Sequence, residues 1–318
     1  MHPIVKLVGQ RIGLGLILLL AASALIFIGT ELLPGDVAQS ILGQAATEVS
    51  LRNLREELGL NEPALTRYFS WLWGIFHGDL GTALSNRKDI ATEIAGRLGN
   101  TMFLAFWAAI VAVPLAIGLG LLAVRYRNRW PDRLISGFTL TTVSVPDFVL
   151  GYILMYVLTV KFRIFSPIST IYDSMGFSEK LYAIALPAMV LVLVVLAQMM
   201  RMTRAAILNV MQSAYIETAE LKGLRPFAII ARHAFPNAVA PVVTVVMLNL
   251  AYLVVGVVVV EVVFVYPGMG QYLVDHVAKR DIPVVQACGL IFAAVFIGLN
   301  ILADVISILS NPRLRHPK

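Results

Sequence analysis

The stretch LGNTMFLAFWAAIVAVPLAIGLGLLAV, residues 98–124, contains no acidic or basic side chain. A helix rises about 1.5 Å per residue and the hydrocarbon core of a bilayer is about 30 Å thick, so roughly 20 apolar residues suffice to cross it. Lipid offers no hydrogen bonds to an open backbone, and this run is longer than the roughly ten-residue strands of a membrane barrel. The stretch therefore predicts a transmembrane helix.

Similar runs extend this prediction along the chain. Of its 318 residues, 58% are hydrophobic and only 14% are charged, which is more apolar than an ordinary soluble domain. Only the third run holds an acid or a base. The sequence thus predicts an all-α integral membrane protein with six transmembrane helices, at residues 12–30, 98–124, 134–160, 181–200, 234–260 and 282–303.

The runs also divide the chain into regions. We expect a cytoplasmic N-terminus with the first helix at 1–30, a helical extracytoplasmic insertion at 31–97, a membrane core at 98–303 and a cytoplasmic tail at 304–318. Within the core, the long polar loop is 201–237. A cleaved signal peptide is the alternative for the first run, because Ala22, Ser23 and Ala24 form a small-residue stretch, but the apolar run continues beyond it.

Basic residues set the expected orientation, with both termini in the cytoplasm. The short segments on the far side then hold only Lys161, Arg163, Lys180, Lys279 and Arg280. These anchors also account for the net charge of +6, so no nucleic-acid partner is expected. The more numerous basic residues of the cytoplasmic side are Lys6, Arg11, Arg125, Arg127, Arg129, Arg133, Arg201, Arg204, Lys222, Arg225, Arg232, Arg313, Arg315 and Lys318.

The insertion is expected to contain two short helices. In SLRNLREELGLNEP, Ser50 is the expected N-cap of the first helix and Gly59 lies beyond its end. Pro63 opens the second, whose aromatic face would lie in the membrane interface or pack against the bundle. That face comprises Tyr68, Phe69, Leu72, Trp73 and Phe76.

No catalytic or metal-binding residue is predicted. The five histidines are scattered without helical ligand spacing, and the single cysteine, Cys288, can form neither an intramolecular disulfide nor a metal cluster. The phosphate-loop pattern G-x-x-x-x-G-K-[ST] is absent from the sequence. If transport here consumes ATP, another chain binds it.

The stretch ETAELKGL, residues 217–224, places charges between two apolar runs. Ser213 can cap a helix over 214–222, after which Gly223 takes the left-handed position. Isolated helices shorter than about 12 residues are marginal in water, so this one needs a surface to dock on. A second helix can start at Pro226 and is expected to be interrupted at Pro236.

Two further polar features stand within or beside the apolar runs. Asp147, after Pro146 in the third run, either faces a translocation path or caps the segment after a proline break. Glu261 begins a segment with P-G-x-G turn chemistry, which is either a shaped re-entrant or binding segment or a plain turn. Its candidate residues are Tyr266, Pro267, Gly268, Gly270, Arg280 and Asp281.

Together these motifs give the chain a family resemblance. ETAELKGLRPFAIIARHAFPNA resembles the cytoplasmic loop of permease subunits in binding-protein-dependent ABC importers, whose pattern is E-A-A, three residues, G, nine residues, I-x-L-P. Thr218, His233 and Phe235 depart from that pattern in a manner similar to the dipeptide, oligopeptide and nickel branch. Further stretches that carry the resemblance are LLPGD at 32–36, ELGLNEPALTRYFSWLWGIFHGDLG at 57–81, SVPDFVLG at 144–151, RMTRAAILNV at 201–210, EVVFVYPGMGQYLVDHVAKRDIPVVQA at 261–287 and NPRLRH at 311–316.

The resemblance implies a type I importer permease fold in a bacterial inner membrane. It implies a homologous second permease as partner in a heterodimer, two ATPase subunits that bind ATP and Mg, and an extracytoplasmic solute-binding protein. It also implies that the 217–224 stretch couples to an ATPase. The turn chemistry of the 261–281 segment makes Tyr266, Gly268, Arg280 and Asp281 candidates for contact with the binding protein, with a plain turn as the alternative. The coupling residues are then Glu217, Thr218, Ala219, Leu221, Gly223 and Pro236, and the path candidates are Pro146, Asp147 and Glu261.

The cargo implied by that branch is a di- or oligopeptide, with nickel chelates, glutathione or oligosaccharides as alternatives. A secondary transporter would show interrupted helices and ionisable groups in two similar halves, whereas one mid-run acid occurs here. An intramembrane enzyme would need convergent catalytic groups, which the runs lack. An ATP-driven importer is therefore the expected function.

Overall fold

The computed structural model describes residues 3–32, 37–42, 46–57, 59–172 and 174–310, and these contain helices but no strand apart from a single bridge between Thr82 and Asp89. The motifs at 33–36 and 311–316, and Leu58, lie outside the described residues. The helices are α1 Pro3–Glu31, α2 Val37–Leu42, α3 Glu48–Glu57, α4 Ala64–Phe76, α5 Ile90–Arg125, α6 Trp130–Ser144, α7 Asp147–Met155, α8 Phe177–Met211, α9 Ala214–Leu221, α10 Pro226–Ala228, α11 Phe235–Val263, α12 Met269–Ala278 and α13 Ile282–Ser310.

Five helical segments are long and apolar enough to cross a bilayer: Lys6–Glu31, Ile90–Arg125, Phe177–Met211, Pro226–Val263 and Ile282–Ile308. The third predicted span is not one helix, since Trp130–Ser144 and Asp147–Lys161 meet at a bend of 105°. Pro146 lacks an N–H and restricts Val145, which is extended at φ −95° and ψ 127°. The break at Pro146 was one of the two alternatives given by the sequence, and the bent pair still counts as one of up to six spans.

The bundle core lies between α5, α8 and α11. Side chains such as Leu104, Met199 and Val257 are completely buried there. Asp132 in the first turn of α6 accepts two hydrogen bonds from the Arg204 guanidinium of α8, at 3.0 and 2.9 Å. This bidentate pair fixes α6 against the end of α8.

Two buried clusters mark the two ends of the helix bundle. At one, the α9 end, Val124, Ile207 and Ile216 share a buried cluster. At the other, the α12 end, Ile90, Tyr272 and Val284 form a second cluster. Helices α5 and α8 therefore both end at the α9 end, where α11 begins, and α11 ends at the α12 end, where α13 begins.

The insertion between α1 and α5 differs in detail from expectation. Ser50 lies inside α3, and its backbone N–H donates to Thr47 Oγ1 while Thr47 N–H donates to Ser50 Oγ. The expected cap at Ser50 is therefore wrong, because this reciprocal pair satisfies the first turn three residues earlier. Gly59 does follow the helix in the left-handed region, at φ +65°.

The second insertion helix, α4, packs against α1 through one face only. The Tyr68 hydroxyl lies 2.9 Å from Ser23 Oγ, and the Arg67 guanidinium binds Glu31 at 2.6 Å. The aromatic side chains of Phe69, Trp73 and Phe76 remain exposed. The predicted aromatic face is thus divided between packing on α1 and the outer surface of the molecule.

Candidate functional sites

At the α9 end, the short helix α9 has one face on the bundle and one face free. Ile216 and Ala219 are 1% and 7% exposed and pack in the cluster that joins α5, α8 and α11. Leu221 is 83% exposed, and Glu217 and Thr218 are exposed beside it. The side chain of Ala219 therefore belongs to the face that anchors α9 on the bundle, and its predicted part in coupling would be exerted through that face.

The turn after α9 is built around Gly223. Its φ is +74°, its N–H donates to Glu220 O at 2.9 Å, and Leu224 N–H donates to Ala219 O. This left-handed ending satisfies the last carbonyl groups of the helix, as the sequence predicted. Ser213 occupies the N-cap position but its side chain makes no capping hydrogen bond.

After α10, the chain re-enters the bundle without the expected interruption. Residues Ile229–Ala234 form a π-helical turn, and Pro236 follows in the first turn of α11, where a missing N–H costs little. The extra residue in the wide turn lets one helical segment continue from Pro226 to Val263. Pro236 is exposed at the start of that helix.

The bend at Pro146 borders a cavity of about 410 Å³ between α6, α7, α8 and α11. Asp147 lines this cavity, and no side-chain hydrogen bond caps α7, whose N-cap is Pro146. Asn249 and Gln198 also line it, and neither was predicted. The feature of the sequence that could have identified them is a polar amide side chain within an otherwise apolar run.

Glu261 lies at the α12 end and does not line that cavity. It is completely buried, accepts the Thr101 hydroxyl at 2.6 Å, and accepts the backbone N–H groups of Gly270 and Gln271 at 2.7 and 3.1 Å. The N–H of Met269 donates to Thr101 Oγ1 at 2.8 Å. A carboxyl group from α11 thus satisfies donors in the first turn of α12, which is a different role from the expected place in the path.

The two glycines of the P-G-x-G turn allow this close approach. A Cβ on Gly268 would overlap the Glu261 carboxyl group, and a Cβ on Gly270 would lie 2.7 Å from the Cα of Val258. The Tyr266 hydroxyl donates to Asn100 O at 2.7 Å, and burial raises the pKa of Tyr266 so that it stays a neutral donor. The segment is therefore a shaped, buried turn and not a plain connection.

Asp281 closes the same end of the bundle. It is 1% exposed and accepts the backbone N–H groups of Leu84 and Ser85 at 3.1 and 2.9 Å. Because Tyr266, Gly268 and Asp281 are buried, their expected role as surface contacts is corrected: Tyr266 and Gly268 shape the turn, and Asp281 holds the 84–85 loop. Arg280 is exposed, with a φ of +56°, and stays a candidate for contact with another protein.

The described residues contain no group of three or more His, Cys, Asp or Glu side chains that could hold a metal ion.

Comparison with known proteins matches most of the chain. The family described as binding-protein-dependent transport system inner membrane component matches residues 112–316, and its N-terminal counterpart matches residues 4–105. The chain is 35% identical over 304 residues to the glutathione transport system permease protein GsiC of Salmonella typhimurium, covering 95% of this chain and 97% of that protein. It is 34% identical over 313 residues to a putative peptide transport system permease protein of Brucella abortus, covering 98% and 99%.

A solved structure supports the fold. The chain resembles the inward-facing MetNI methionine ABC transporter with a TM-score of 0.53 and 17% identity, over 69% of this chain and 96% of the matched one. The shared fold is the one expected from the sequence, a type I importer permease.

Proposed function

Because the chain belongs to the family of binding-protein-dependent transport system inner membrane components, we propose that it forms half of the path by which an ATP-driven importer takes up short peptides. The chain is an ABC importer permease in an inner membrane, and ATP hydrolysis lies in partner chains. The peptide class is inferred from relatives named for glutathione and peptide transport.

The observation that supports coupling most strongly is the division of α9 into two faces. Ile216 and Ala219 tie it to the buried cluster that joins α5, α8 and α11, whereas Glu217 and Leu221 are free to meet a partner. A docked element influences a conformational equilibrium only if its contacts differ between the two states. We therefore assign the free face to an ATPase subunit and the anchored face to the transfer of its movement into the membrane helices.

The assembly that this assignment requires has four membrane-associated subunits. We place a homologous second permease beside this chain, an ATPase bearing ATP and Mg on each permease, and a solute-binding protein at the α12 end, where Arg280 is exposed. The α9 end then faces the cytoplasm, together with both termini, as the distribution of basic residues favours.

Reconstitution of the four subunits with the cognate binding protein tests the proposal. We expect ATP hydrolysis to be stimulated by the binding protein loaded with a tripeptide or glutathione, and labelled peptide to accumulate only with ATP. Stimulation by a nickel chelate or an oligosaccharide alone would reject peptides as the cargo. Accumulation driven by an ion gradient without ATP would reject the importer mechanism.

A further inference from the structure

The cavity beside the third-span bend lies at mid-depth in the bundle. Val195 is near the middle of α8 (Phe177–Met211) and Asn249 is near the middle of α11 (Phe235–Val263). Asp147 stands at the junction of α6 and α7, the two halves of the third span. A solute that crosses along this face of the chain therefore meets the cavity halfway through the membrane.

The cavity has a closed back and an open mouth. Thr142, Val195 and Asn249 at its back are 8%, 2% and 6% exposed. At the mouth, Val143 and Tyr252 are 47% and 53% exposed. A volume of about 410 Å³ lies within the usual range of roughly 300–1,000 Å³ for sites that hold small molecules.

The polar groups of the cavity favour a cation. Asp147 is the acidic side chain among the described lining residues, no basic side chain lines the cavity with it, and its carboxyl group has no hydrogen bond or ion pair within the described part of the chain. The side-chain amide of Asn249 donates to Val245 O at 2.8 Å, which leaves its carbonyl oxygen as an acceptor. A carboxylate and nearby amide oxygens can together accept the hydrogen bonds of a positively charged group that carries several N–H donors.

We propose that Asp147 receives the primary ammonium group of a short peptide as the peptide passes through the membrane. An ammonium group carries three donors and a positive charge, so it can bind the Asp147 carboxylate and still meet amide oxygens such as those of Asn249 and Gln198. A single carboxylate is a poor site for a divalent metal, which takes several ligands. The inference rests on the proposed function for the peptide nature of the cargo.

The test uses the solubilised four-subunit transporter without its binding protein, so that the recognition measured belongs to the membrane subunits. Val143→Cys, in a Cys288→Ala background, places the chain's one thiol at the cavity mouth. Its modification by cationic and anionic methanethiosulfonate reagents is timed with and without peptide. Asp147→Asn removes the charge at constant shape, Asp147→Glu restores it, and Glu56→Gln on exposed α3 is the matched control.

We expect the cationic reagent to react faster than the anionic one, and a free tripeptide to slow the reaction. Asp147→Asn should raise the tripeptide concentration needed for protection roughly tenfold or more, the range expected for a hydrogen bond to a charged group. Asp147→Glu and Glu56→Gln should stay near the parent value. S-Methylglutathione, which has no thiol to consume the reagent, should protect like the tripeptide because its γ-glutamyl ammonium is also free, whereas N-acetylated forms of both should not protect.

Two results would overturn the inference, and they are distinguishable. If Asp147→Asn, still assembled with its partners, is protected as well as the parent or by N-acetylated peptides, Asp147 does not receive the ammonium group although peptides remain the cargo. If neither peptide protects the parent or is taken up by the reconstituted transporter, the peptide cargo itself is wrong and the role of Asp147 falls with it.

Discussion

Replacing Gly223 by valine isolates the backbone turn that holds α9. Gly223 has a φ of +74°, and a Cβ placed there would meet nothing within 4 Å. Steric contact with neighbours therefore adds nothing, and the cost is the left-handed backbone itself, about 1–2 kcal/mol for a residue with a side chain. A β-branched residue such as valine incurs this full free-energy cost, whereas asparagine adopts a positive φ more readily.

This cost is comparable with what anchors the helix. α9 has eight residues, and its largest buried side chain is Ile216, whose burial contributes about 1.5–3 kcal/mol. A strain of 1–2 kcal/mol changes the ratio of docked to displaced α9 by about 5–30-fold. Gly223→Val should therefore weaken coupling severely without altering a membrane span, and Gly223→Asn should keep most of it.

The assay is co-purification of the ATPase subunits with the permease pair, followed by binding-protein-stimulated ATP hydrolysis. Gly59→Val is the matched control, because Gly59 also has a positive φ of +65° and open space around it but lies in the insertion. Wild-type ATPase retention and stimulation in Gly223→Val would refute the reasoning. So would an equal loss in Gly59→Val, since the defect would then reflect general instability.

Further changes test the α12 end and the orientation. Gly270→Ala forces a Cβ to 2.7 Å from a backbone carbon and should lower the apparent thermal midpoint, as overpacking costs about 1–3 kcal/mol, whereas Gly96→Ala, in open space on α5, should not. Asp281→Asn leaves one of two N–H groups of the 84–85 loop unpaired and should increase proteolysis there, which unchanged cleavage would contradict. Cysteines at Arg127 and Gln271 should be labelled from opposite sides of the membrane, and labelling from the same side would reject the topology.

The sequence predicted most of the architecture because the strongest constraint, the apolar length that a helix needs to cross a membrane, acts on each segment separately. Each span is apolar enough to be recognised alone, and Gly223 and Pro146 act on their own backbones. These local effects do not depend on which other helix is near. The size of the bend at Pro146 does depend on it, which is why the break was only one of two alternatives.

The burial of polar side chains was the part that the sequence could not specify. Glu261 and Asp281 were expected to serve a path or a surface, yet Asp281 accepts a backbone N–H from Ser85, 196 positions away, and Glu261 accepts the hydroxyl of Thr101, 160 positions away. Alanine is small enough to occur on either the buried or the exposed face of a short helix, so the sequence did not show which face of α9 holds Ala219. Asn249 was overlooked because an amide in an apolar run gives no indication of its neighbours.

The contact between Asp281 and Ser85 has a consequence for how the protein is made. The two residues are 196 positions apart in the chain. At a synthesis rate of about 5–20 residues per second, Ser85 leaves the ribosome roughly 10–40 seconds before Asp281. In the proposed orientation, the loop before α5 is then outside the cytoplasm, and the backbone N–H groups of Leu84 and Ser85 lack the Asp281 carboxylate during that interval. The outer end of the bundle is therefore completed only when α13 begins to emerge, and a nascent chain that stalls before this point presents an open loop to proteases and chaperones of that compartment.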